Sequence, residues 1–114
     1  VNFDWDELSE SDHGAVLLTH GGVNDAYIIA EAALAGVQDG KIIDFEFSAQ
    51  KAIGFLKSKN RTVIDCAHQN GHQPHPQVSL NTILDFFKAH KVGETSSYET
   101  DGLPAGYPSS CTIK

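Results

Sequence analysis

Two short apolar runs do most to limit what this chain can fold into: GAVLLT at residues 14–19 and RTVIDCA at 61–67, each followed by a turn that carries histidine and glycine. A brief continuous apolar run that stops at a tight turn suits a strand buried on both faces, the pattern of a parallel sheet. Between the runs, Asp44 stands where it can cap a helix. Phe45, Ala49, Ala52, Ile53 and Leu56 follow at steps of three and four, and the helix runs out in KSKN. A further helix is expected over residues 77–90, with Val78, Ile83, Phe86 and Phe87 as its apolar stripe. Residues 26–35, AYIIAEAALA, also favour helix through their alanines, ending at Gly36. Strands that alternate with helices predict an α/β fold with a parallel sheet and flanking helices. Two strands cannot hide both faces of such a sheet, so the missing strands are expected in another segment. The absence of any methionine in the 114 residues leads to the same expectation, a single partial domain over 1–114.

The charge balance narrows the partners. A formal net charge of −7, with eight basic residues that never cluster, leaves no footprint for a phosphate backbone and no polybasic membrane patch. Neither nucleic acid nor a membrane is therefore expected as a partner. No apolar run approaches the roughly 18 residues that a span requires. Residues 91–114 are rich in Gly, Ser, Thr and Pro without periodicity, and read as an irregular tail. Cys111 is the natural pin for it. A Cys66–Cys111 bridge would imply an oxidising compartment, with two unpaired buried thiols as the alternative.

In an open α/β sheet, reactive groups gather on loops beyond the carboxyl ends of the strands. Here those loops are 20–25 (HGGVND) and 68–76 (HQNGHQPHP), which offer His20 and Asp25, and His68, His72 and His75. If both strands are parallel neighbours, both loops leave the same edge, and a carboxylate can orient an imidazole as a general base. His20 reads as a hydrogen-bonding residue at a strand end, and His68 and His75 as loop structure or pocket lining. Phe45 and Phe47 flank the expected mouth as packing residues of a helix start, with an acyl-pocket role for Phe47 as the alternative. A rival reading gathers His68, His72 and His75 with Asp65 or Cys66 around zinc. Asn70-Gly71, Pro74 and Pro76 break any helix across that cluster, so such ligands would have to converge from a loop.

The run GAVLLTHGGVNDAYII, the later RTVIDCAHQNGHQPHP and the helix after it resemble the C-terminal portion of α/β-hydrolase serine esterases. The likeness is to the polyhydroxybutyrate-depolymerase and feruloyl-esterase-like group, and it covers residues 14–90 and, more faintly, GLPAGYPSSC. The resemblance implies a secreted or periplasmic carboxylic-ester hydrolase that needs no cofactor and no metal. It places the triad acid on Asp25 and the base on His72. These enzymes also need a serine on a G-x-S-x-G elbow, ahead of both residues in chain order. No such motif occurs here, and Ser9 and Ser11 lack the strand-turn-helix context. The resemblance therefore implies that the serine and the oxyanion hole lie in the remainder of the hydrolase domain, which would be the chain's partner together with an ester substrate. A non-catalytic binding module built on a decayed hydrolase half is the alternative.

Overall fold

The computed structural model describes residues 14–28, 36 and 41–114. They form a mixed α/β structure with five strands and three α-helices among the described residues. Strand β1 (Val16–His20) leads through a 3-10 turn (Gly22–Asn24) into β2 (Ala26–Ile28). Next come β3 (Lys41–Asp44), α1 (Phe45–Ser58) and β4 (Val63–Ala67), then α2 (Leu80–Ala89), the short α3 (Tyr98–Asp101) and β5 (Cys111–Ile113).

The central sheet has the order β1-β4-β5. β1 runs parallel to β4, with Val16 opposite Val63 and His20 opposite Ala67. β5 returns antiparallel, with Cys111 opposite Cys66. The sheet is thus mixed, and its third strand comes from the tail expected to be irregular. The tail lacks periodicity because β5 is only three residues long, too short for an alternating pattern to register. A Cys66–Cys111 disulfide joins the two opposed residues. Asp65 and Cys66 pair with Thr112 and Cys111, so the bridge pins β5 to the middle of the sheet.

Alternation along the strands sorts the core onto two faces. Ile64, Cys66 and Cys111 meet Phe86 of α2 and Tyr98 of α3 on one side, with Leu17 and Ile113 packed alongside. Val63 meets Ile53 and Leu56 of α1 on the other, flanked by Val16 and Leu18. α1 forms where the spacing predicts. Asp44 caps it by accepting the Phe47 N–H, and that bond lowers the Asp44 pKa below the ordinary carboxylate value. α2 starts at Leu80, capped by Ser79 through the Thr82 N–H, so Val78 lies before the helix. Only Phe86 of its expected stripe is fully buried; Phe87 is exposed.

The helix expected over 26–35 is corrected at its start. Ala26–Ile28 is a strand, paired antiparallel with β3, with Tyr27 opposite Ile43 and Ala26 opposite Asp44. Tyr27 and Ile28 suit an extended backbone, and pairing with a distant strand outweighs the local preference of the alanines. Residues 29–35 lie outside the described residues. No described helix is long and apolar enough to cross a membrane.

Candidate functional site

The parallel pairing of β1 with β4 sends two loops off the same edge of the sheet, and the backbone continues the ladder into them. His68 N–H donates to the His20 carbonyl at 2.9 Å, and Gly71 N–H to the Gly21 carbonyl at 3.3 Å. The loops touch main chain to main chain. A β-carbon on Gly21 would collide with the Gly71 carbonyl oxygen, so the approach requires glycine there. Gly71 itself sits at φ +70°, in the left-handed region that other residues enter at a cost.

Across this contact Asp25 and His72 meet. Asp25 Oδ1 lies 2.8 Å from His72 Nδ1, the contact expected of two loops on one edge. The other carboxylate oxygen, Oδ2, accepts the Gly21 N–H at 2.7 Å, and the Asp25 N–H reaches back to the Gly22 carbonyl at 2.9 Å. Both carboxylate oxygens are therefore engaged, and the aspartate is fixed as the rim of the turn. A carboxylate only accepts, so the shared proton sits on His72 Nδ1 and leaves Nε2 with a lone pair. Nε2 has no partner among the described residues, and the His72 side chain is 71% exposed against 7% for Asp25. Phe45 covers one face of the imidazole, stacked at 4.4 Å between ring centroids and 20° between planes.

Among the described residues, His20, His68 and His75 make structural contacts. His20 Nε2 lies 3.1 Å from Asp65 Oδ1, and its Nδ1 faces the Gly22 N–H at 3.4 Å. Both members of this pair are buried, and Lys114 Nζ approaches the second Asp65 oxygen at 3.5 Å. The sequence presents Asp65 as a possible metal donor and gives no sign of its pairing with His20. The signal that marks it is a carboxylate in the middle of an apolar run that forms a strand buried over Val63–Cys66, which demands a partner. His68 donates from Nε2 to the Gln73 carbonyl and accepts the Asn70 N–H at Nδ1. His75 donates from Nε2 to Ser110 Oγ, while its Nδ1 receives the Gln77 and Val78 N–H groups. Burial, and then the neighbouring His68, lower the His75 pKa below the ordinary histidine value.

The ring nitrogens of His68 and His75 are thus committed within the loop, and the Cys66 sulfur is in the disulfide. No group of three or more His, Cys, Asp or Glu side chains among the described residues is placed to hold a metal ion. Phe47 is largely exposed, with Lys51 Nζ 5.4 Å from its ring centroid. Ser9 and Ser11 lie outside the described residues. An imidazole held at Nδ1 by an aspartate, with Nε2 left open, is able to accept a proton there from a hydroxyl brought to it. Comparisons with protein-family models, with curated proteins and with solved structures return no match for this chain.

Proposed function

We propose that this chain supplies the acid and base of a Ser-His-Asp triad in a carboxylic-ester hydrolase of the α/β-hydrolase type. The serine and oxyanion hole would come from a further segment of the same domain. The observation that carries the reading is the 2.8 Å Asp25–His72 contact on a ring whose Nε2 has no partner among the described residues. The parallel β1–β4 pair, with both loops on one edge, agrees with it. The disulfide suits an oxidising compartment, secreted or periplasmic.

In this reading His72 Nε2 takes the serine hydroxyl proton as Oγ attacks the ester carbonyl, and then delivers it to the departing alkoxide, which leaves as the alcohol. Water repeats the sequence on the acyl-enzyme and releases the carboxylic acid. Asp25 holds the imidazole in its Nδ1–H form and stabilises the imidazolium throughout.

The test is hydrolysis of p-nitrophenyl acetate by this chain alone and by a longer protein that adds an upstream G-x-S-x-G segment. The chain alone stays at the buffer rate. The longer protein turns over and loses about 10⁴-fold in kcat on Asp25→Asn, as expected when a triad aspartate no longer selects the tautomer. An inactive longer protein would favour the binding-module reading. Activity of the isolated chain that survives His72→Ala would remove the triad reading.

A further inference from the structure

His72 is exposed over most of its side chain, yet a general base must present Nε2 in one direction. One hydrogen bond at Nδ1 does not achieve this, because the ring can still tilt about the Nδ1–Oδ1 line. The geometry points to Phe45 as the residue that removes this freedom: it is a positioning residue for His72, acting through its ring face and not through the substrate. The inference rests on the reading of His72 as a base and adds a part to it.

Three observations converge. The Phe45 ring lies nearly parallel to the imidazole, at 4.4 Å and 20°, so it opposes rotation out of plane while Asp25 fixes the in-plane direction. The Phe45 N–H donates to the Asp25 carbonyl at 2.8 Å, so the residue with the aromatic face and the residue with the acid are tied to each other through the main chain. Phe45 is also the first residue of α1, directly after the capping Asp44, whose second oxygen holds Lys41 Nζ at 3.0 Å. The face that meets His72 is thereby mounted on the end of a 14-residue helix packed against the sheet through Ile53 and Leu56. A rigid element thus carries the constraint across to a loop.

Nuclear magnetic resonance of the histidine rings in this chain tests the inference without a serine. In the wild type, the His72 carbon-bound ring protons resonate upfield from those of an unstacked histidine and show nuclear Overhauser contacts to the Phe45 ring. The ¹⁵N shifts report an Nδ1–H tautomer. Phe45→Leu abolishes the upfield displacement and lowers the Nδ1–H fraction, whereas Phe45→Tyr retains both. Unchanged tautomer and proton shifts in Phe45→Leu would overturn the inference, and so would absent Overhauser contacts in the wild type, a result that needs no variant to fold. Asp25→Asn separates this from the triad reading. Its carbonyl keeps the Gly21 N–H and turns an amide donor toward Nδ1, so the ring switches to Nε2–H while the stacking signature stays. No switch in Asp25→Asn would remove the dyad on which both readings stand, whatever Phe45→Leu does.

Discussion

The described residues hold two aspartate–histidine pairs of similar chemistry, and their surroundings give them opposite character. His20 and Asp65 sit side by side on neighbouring strands, facing α1, with both side chains buried. His72 and Asp25 lie just beyond the strand ends, where only the aspartate is buried. In the first pair, the second imidazole nitrogen faces the Gly22 N–H, and the second carboxylate oxygen faces Lys114. In the second pair, the carboxylate is completed by Gly21 and Nε2 is left over. The pairing itself therefore says little about reactivity. What separates a structural link from a candidate base is whether the far nitrogen is consumed and whether a substrate can reach it.

The two pairs should respond very differently to perturbation. The largest loss is expected around the buried one, where the disulfide holds β5 against Cys66, next to Asp65. The bridge spans a sequence separation of 45 residues. The chain-entropy model gives it about 4 kcal/mol. Denaturant unfolding of oxidised protein against a Cys66→Ala/Cys111→Ala variant measures this. Hydrogen exchange in the variant should speed up in β5 before it does in the loop around Asp25.

Asp65→Ala comes next. It leaves the buried His20 Nε2–H without its acceptor and Lys114 without its carboxylate, at a cost of about 3 kcal/mol, at the lower end for a broken buried pair. A loss no larger than that of Asp25→Asn in the same urea titration would erase the distinction between the two pairs.

A smaller effect follows from His75, which is buried and neutral in the same loop as His72. Its folded pKa is depressed, by burial first and then by His68. The unfolded chain therefore binds this proton more readily, and stability is lost as pH falls through the ordinary value of 6.5, levelling off below the folded pKa. Protonation would also set an N–H at Nδ1 against the Gln77 and Val78 donors. Urea midpoints measured from pH 8 downward should show the decline, and His75→Gln should flatten it. The smallest change is expected from His72→Ala, within about 1 kcal/mol, since its side chain is mostly in water and its removal lets water reach the Asp25 oxygen it leaves. A clearly larger cost would make His72 a structural histidine like His20.

Much of this architecture is legible in the sequence because it is local. β1, β4 and α1 carry their apolar patterns openly, Asp44 announces its helix, and the two loops follow strands whose runs suit a parallel sheet. From that order the meeting of Asp25 and His72 could be expected. What stays hidden depends on partners far away in the chain. β5 and β2 are three residues each, and they become strands only through Cys66 and through β3. The His20–Asp65 pair needs the register that sets Leu18 opposite Asp65 and His20 opposite Ala67, and no spacing rule supplies it. Phe45 is visible as a helix residue with an apolar side chain; its stacking on His72 depends on where a loop 27 residues later comes to rest.

The contact between Gly21 and Gly71 gives the molecule an uneven tolerance to change. Around it, side chains such as Val23 and Gln73 are exposed, and substitution there costs little. At Gly21 itself the missing side chain is the interface, and any replacement pushes the two loops apart by the width of a methyl group. The rim of the candidate site therefore has room for other side chains where Gly21 has none, and a substitution at Gly21 calls for a rebuilt His72 loop.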